Sequence, residues 1–158
     1  MSKWIENLYI KNAKLYFRNF AGNPDKYNPN GGIRYFGVII DEDKVEPLRA
    51  EGWKIKDSTP SETDGSFVSY LKVKVVYGKR SPSILLINGN NSDDRNVLNE
   101  KTVDILDHIR IQQAKLNIRP YKYNFNGLQG ISARLESAAF TMVPDPIIDE
   151  YGMIIPEA

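Results

Sequence analysis

The sequence contains no cysteine and a single histidine, His108. The missing cysteine excludes a disulfide scaffold, a thiolate nucleophile and any cysteine-built zinc or iron–sulfur centre. The lone histidine excludes a metal site built on two histidines of one chain. Long apolar runs are absent too: a run such as Ile84-Leu85-Leu86-Ile87 falls far short of the ~20 residues that a membrane-spanning helix needs. The opening Met1-Ser2-Lys3-Trp4-Ile5-Glu6-Asn7 offers no apolar stretch of signal-peptide length. There is no glycine motif of the P-loop or dinucleotide-binding kind. No serine or threonine sits in a recognisable nucleophile turn, and a lone histidine such as His108, beside Asp107, is ordinarily structural. The oxygen-rich stretch Asn90, Asn91, Asp93, Asp94 lacks EF-hand spacing and reads as a solvated turn rather than a Mg²⁺ or Ca²⁺ site. The expectation is a soluble, intracellular, non-enzymatic protein with no cofactor, no metal and no membrane contact. At 158 residues it is long enough for one domain with its own core.

What is present is charge sorted along the chain. The formal net charge is +1, yet all 21 bases precede Pro144, against 16 of the 20 acids. Residues 1–143 therefore carry +5 and residues 144–158 carry −4. Three stretches hold bases and no acid: between Asn7 and Pro24, between Gly65 and Ser92, and between His108 and Leu135. The acids gather in Asp41–Asp64, in Asp93–Asp107 and in the tail. A basic body with an acidic tail points toward a polyanionic partner.

The acid-free stretches are also the strand-like ones. In Leu8–Phe20, Lys14, Tyr16, Arg18 and Phe20 share one parity and Leu15 and Phe17 the other, predicting one wet face and one core face. Asn23–Gly32 is dense in turn formers and predicts a long mobile loop. Ile33–Ile40 is the next strand, with Phe36, Val38 and Ile40 inward and Tyr35 opposite. Asp41 is placed as the N-cap of a helix over Glu42–Glu51 that Gly52 stops, with Pro47 expected to shorten it or delay its start. Trp53–Lys56 can form a brief strand, and Asp57–Ser66 reads as a surface loop. Phe67–Tyr77 alternates, with Phe67, Leu71, Val73, Val75 and Tyr77 on one face and Val68, Tyr70, Lys72, Lys74 and Val76 on the other. Ile84–Ile87 is a buried strand, followed by the turn Asn88-Gly89. A short helix is expected over Glu100–Asp107, capped by Asn99. Ile109–Phe125 and Ile131–Val143 form a long hairpin about Asn126-Gly127, and a tail begins at Pro144. About six strands, one or two short helices and no strand–helix alternation predict a mainly β fold. The plan is an OB-fold-like barrel of five or six strands over residues 1–143, with a β-sandwich as the structural alternative.

One chemical pattern recurs on three strands: bases interleaved with aromatic rings. It appears as Lys14, Tyr16, Arg18 and Phe20, as Tyr70, Lys72 and Lys74, and as Lys115, Arg119, Tyr121 and Tyr123, with Arg34 and Tyr35 extending the surface. Single-stranded nucleic acid suits this pattern, because cations neutralise phosphates while flat rings stack on unpaired bases. Two other classes fit less of it. A structural or assembly protein would pack its β-domain on neighbours, and a single-stranded RNA module would read the 2′-hydroxyl.

These residues carry a family resemblance. Leu8-Tyr9-Ile10-Lys11-Asn12-Ala13-Lys14-Leu15-Tyr16-Phe17-Arg18-Asn19-Phe20 resembles the opening strand of phage-encoded single-stranded DNA-binding proteins. So does Tyr27-Asn28-Pro29 followed by Arg34-Tyr35-Phe36 and Asp41. Ile118-Arg119-Pro120-Tyr121 with Gly127, Gly130 and Leu135 resembles their final hairpin. The resemblance implies an OB-fold that coats single-stranded DNA during replication, recombination or repair in the host-cell cytoplasm. It also implies an acidic C-terminal tail that recruits replication or recombination proteins. Here the tail is mildly acidic and ends Ile154-Ile155-Pro156-Glu157-Ala158, without a dense acidic run closed by Pro-Phe. The sequence leaves the oligomeric state open, a homodimer included.

Overall fold

The computed structural model describes residues 5–26, 28–57 and 68–143, without the side chains of Phe125 and Leu128. Tyr27, Phe67, most of the expected 57–66 loop and the 144–158 tail lie outside the described residues. The described chain folds as nine strands, one α-helix and one 3₁₀-helix. In chain order these are β1 (Leu8–Ile10), β2 (Leu15–Asn19), β3 (Tyr35–Ile40), α1 (Glu42–Glu51), β4 (Ile55–Asp57), β5 (Ser69–Lys74), β6 (Ser83–Asn88) and β7 (Asn91–Leu98). The 3₁₀-helix (Val103–Asp107), β8 (Ile111–Phe125) and β9 (Leu128–Met142) complete the order.

All nine strands join one mixed sheet, in the order β1-β8-β9-β5-β3-β2, with β4 added to β5 and the β6–β7 hairpin added to β9. The hydrogen-bonded path does not return to its start among the described residues, so the expected closed barrel is replaced by an open sheet. The reason lies between β1 and β2. The ladder with β8 stops at Ile10 and the ladder with β3 starts at Leu15, with only single backbone bonds between them. A backbone bond from Ala13 N–H to the Ala114 carbonyl (2.9 Å) reaches across that break.

The inner face carries the alternation that the sequence predicts on most strands. Phe36, Val38 and Ile40, then Leu71, Val73 and Val75, then Ile131, Ala133 and Leu135 are all buried. Val45 and Leu48 of α1, with Val103 and Leu106 of the 3₁₀-helix, close the core. At its centre Phe20 stacks on Phe36 (centroids 5.0 Å apart) and meets Phe140 edge-on at 5.8 Å.

Several local expectations are corrected. Helix α1 runs its full predicted length through Pro47. Pro47 sits on the exposed face, so the carbonyl it leaves without an amide partner is open to water. Asp41 takes the N-cap position with an extended backbone, but its side chain makes no capping bond. Gly52 ends the helix in the left-handed region, φ 111°. The predicted Glu100–Asp107 helix is a shorter 3₁₀ turn, preceded by Asn99, whose side chain accepts from the amides of Lys101 and Thr102. Strand β7, Asn-Ser-Asp-Asp-Arg-Asn-Val-Leu, has no counterpart in the sequence reading. It buries only Leu98, so pairing with β6 rather than a hydrophobic face holds it.

The expected mobile loop before β3 is cross-braced instead. Asn19 donates to the Asn23 carbonyl and to Asp25 and accepts from the Asn23 amide. Asn28, also buried, donates to the Ile33 and Asn23 carbonyls, and the Gly32 amide donates to Gly22 O at 2.8 Å. Buried asparagine amides substitute for backbone ladders that the turn formers cannot supply.

Candidate nucleic-acid interface

The outer face of β3, β5, β9 and β8 is where the sequence's bases and rings converge. Register fixes one transverse row: Tyr35 pairs with Lys74, Lys74 with Arg134, and Arg134 with Arg119. Adjacent strands lie about 4.8 Å apart, so the row crosses four strands in about 14 Å. The next positions along β8 and β9 pair Tyr121 with Ser132 and Tyr123 with Gly130. A side chain at 130 would strike the Tyr123 hydroxyl at 2.5 Å, so glycine lets that ring lie flat over β9.

A fork in the sheet makes this face concave. One edge of β5 pairs with β4 at residues 69–71 and then with β9 at residues 73–74. Lys72 stands at the fork. The resulting groove, about 410 Å³, has Leu71, Ile131 and Ala133 in its lining together with Lys54, Lys56, Lys72, Lys74, Arg134, Tyr121 and Tyr123. Among the described residues, no carboxylate lines it.

The cations and rings of the groove touch each other. The Arg134 guanidinium lies 3.7 Å from the centroid of Tyr121, Lys54 Nζ 4.6 Å from Tyr123 and Lys72 Nζ 4.4 Å from Tyr35. Burial lowers the Lys72 ammonium below the usual lysine range, and the charges of Lys56 and Lys74 lower it further, against an opposing pull from Asp25. Like charges held this close favour a polyanion that separates them. Acidic Glu136 stands at the rim. The β8–β9 register shifts beside it, and it pairs with Arg80 (2.8 Å) and with Arg119 (3.3 Å).

The sequence-predicted site residues divide by where they stand. Lys72, Lys74, Tyr121 and Tyr123 line the groove, and Arg119 joins it through the transverse row. Tyr16 and Tyr70 form a ring cluster beside it, centroids 5.7 Å apart. Lys14 and Lys115 are exposed, flank the Ala13–Ala114 bond and do not line the groove.

The remaining four are tied into the fold. Phe20 is wholly buried in the core and has no face for a base, which corrects its assignment. Tyr35 is 5% exposed, with its hydroxyl bonded to Asp25 and Lys72 over its ring, so it supports the site rather than stacking in it. Arg18 donates to the carbonyls of Leu106 and Ile109, both at 2.7 Å. Arg34 donates to the Phe20 carbonyl and lies over Tyr77, whose hydroxyl is raised by burial.

The parity error on β2 has one cause. The pairing of β2 with β3 shifts register between Tyr16 and Asn19, and Phe17 takes φ 35°. A left-handed non-glycine backbone costs about 1–3 kcal/mol. Past the bulge every side chain changes face. Phe20 therefore turns inward, Phe17 turns outward and Arg18 points toward the 3₁₀-helix. The sequence reading also misses Lys54, Lys56 and Arg134 as groove residues. Arg134 was legible, since it falls in the acid-free stretch before Leu135 with outward parity. Lys54 and Lys56 sit in a base–acid mixture that hid them.

A family model described as "Putative phage ssDNA-binding domain" matches residues 1–158. Two solved structures are similar in fold. The single-stranded DNA-binding protein of bacteriophage Enc34, C-terminally truncated, is 13% identical with a TM-score of 0.54, covering 92% of this chain and 95% of that one. The same phage protein in complex with ssDNA is 14% identical with a TM-score of 0.54, covering 92% and 96%. No curated protein matches the sequence. With the model spanning its whole length, this chain belongs to the phage ssDNA-binding domain family.

Proposed function

We propose that the protein binds single-stranded DNA without strong sequence preference and coats it during phage replication, recombination or repair. The observation that carries this reading is the groove, whose described lining holds no carboxylate, with Lys74 and Arg134 in it, Arg119 next in their row, and Tyr121 and Tyr123 beside them. The cations meet phosphates. Tyr121, 42% exposed and backed by Arg134, offers its ring to an unpaired base. Exposed rings have no use on a duplex, whose bases are already stacked, and bases read through stacking are read with little sequence preference. The groove provides binding and no reaction. Its open, curved sheet serves as the binding face of an OB-like fold, a reading supported by the long β8–β9 hairpin and by the helix that follows β3. The protein works in the host-cell cytoplasm. Residues 144–158, which carry −4, offer a contact for replication or recombination proteins, and a homodimer is compatible with the exposed edges of the sheet.

Titration with oligo(dT), oligo(U) and duplex DNA at two salt concentrations, followed by intrinsic fluorescence, tests this. Tight, salt-sensitive binding of oligo(dT) over duplex is expected. Tyr121→Ala is expected to weaken it by about 1–3 kcal/mol, the worth of one stacked base. Absence of binding at low salt would remove the reading, and a preference for oligo(U) would redirect it to RNA.

A further inference from the structure

The residue that the β2 bulge turns outward holds an unusual geometry. Phe17 is 38% exposed, and its backbone is held at φ 35°, where L-residues rarely sit. A regular strand would bury this ring at no conformational cost. Here the chain adopts a disfavoured backbone and places a phenyl ring at the surface.

The surroundings are shaped to hold that ring. It lies over Gly37 of the neighbouring strand, where an added Cβ would meet the Phe17 ring at 2.7 Å. Gly37 has an ordinary negative φ, so it is the close approach of the ring that favours glycine here. Tyr16 and Tyr70 meet Phe17 edge-on, with centroids at 4.8 and 5.0 Å, and Tyr35 lies at 6.0 Å. These near-perpendicular ring contacts fix its orientation, and the residue still keeps 38% of its surface exposed. Directly across β3, Gly37 pairs with Lys72, which lines the groove.

We propose that Phe17 is the platform for an unpaired nucleobase: a second stacking subsite, formed with Tyr70 on the far side of Lys72 from Tyr121. It rests on the single-strand reading above and adds a path to it. The bound strand crosses the β-strands, with Phe17 at one end, Tyr121 at the other, and the phosphates between them over Lys72, Lys74 and Arg134. Backbone strain at this position is then a feature of the binding site, since it holds the ring ready before DNA arrives.

The test compares Phe17→Leu and Phe17→Trp. Leucine keeps apolar bulk over Gly37 and removes the π-face, while tryptophan keeps the face. Affinity for a long oligo(dT) is expected to fall about 5- to 150-fold in Phe17→Leu, the range of one stacked base, and to recover in Phe17→Trp. A fully abasic oligomer of the same length separates stacking from a general disturbance of the fold: Phe17→Leu should bind it as the unaltered protein does. Equal loss on both polymers, or unchanged oligo(dT) binding in Phe17→Leu while Tyr121→Ala weakens it, overturns the Phe17 subsite and leaves the groove reading intact. Failure of the unaltered protein to bind oligo(dT) sinks both.

Discussion

Strands β2 and β5 lie on either side of β3 and carry the same written pattern, bases set between aromatic rings. On β5 the pattern means what it says. Leu71 and Val73 are buried, while Tyr70, Lys72 and Lys74 are partly exposed on the opposite face. On β2 it does not. The bulge after Tyr16 sends Phe20 into the core, Arg18 onto two carbonyls and Phe17 into solvent. Alternation is evidence for a face only while register is unbroken, and one extra residue exchanges the core and the site.

The comparison can be broken most forcefully at Phe20. Phe20→Ala is expected to destabilise the fold by about 3–5 kcal/mol, as loss of a fully buried ring does. Denaturant unfolding would measure it, and a stable Phe20→Ala protein with weakened DNA binding would return Phe20 to the site. Arg18 gives a smaller version of the same contrast. Arg18→Ala removes two charge-assisted bonds to Leu106 and Ile109 carbonyls, so a loss of about 1.5–3 kcal/mol in stability is expected, with the salt dependence of binding unaltered. Lys72→Ala should do the reverse. It leaves stability close to unchanged and lowers the slope of log affinity against log salt by about 0.7, the share of one phosphate on a single strand.

The smallest effect concerns pH, and again separates β5 from β2. The folded protein holds the Lys72 ammonium below the usual lysine range through burial and the charges of Lys56 and Lys74. A phosphate favours the charged form, so affinity is complete at neutral pH. It declines as pH rises through the lowered value, earlier than an ordinary lysine would allow. For folding the sign is opposite: because the folded state holds this proton less tightly than the unfolded chain, stability rises with pH between the lowered and the ordinary value. Lys72→Met is expected to remove the early alkaline limb of binding. An identical pH profile in that variant would take Lys72 out of phosphate contact.

Much of this was legible in the sequence because most of the sheet obeys period-2 patterning with one face buried. The strands β3, β5, β6, β8 and β9, helix α1 with its glycine stop, and the turn at Asn126-Gly127 all follow from local signals. That turn needs two left-handed residues and has them, at φ 51° and 82°. What could not be read depends on contacts distant in sequence. The bulge at Phe17 is visible only against β3. Strand β7 exists because β6 pairs with it. Asn19 reads as a strand residue and Asn28 as an ordinary loop residue, until their amides are seen holding the Asn23 and Ile33 carbonyls. The fork that hollows the groove arises where β4 and β9 share one edge of β5, an arrangement that no linear pattern encodes.

That fork also sets how the molecule responds to load. Between β5 and β9 the ladder has only the pairs Val73–Ala133 and Lys74–Arg134, and the second sets two like charges opposite each other, which destabilises a pair of strands. One of the shortest ladders in the sheet therefore also carries a like-charged pair. In the proposed groove, a polyanion lying across it would offset the repulsion and link the β3–β5 side to the β8–β9 hairpin. On that proposal cargo and brace would be the same molecule, and the protein's grip and its own cohesion would rise and fall together.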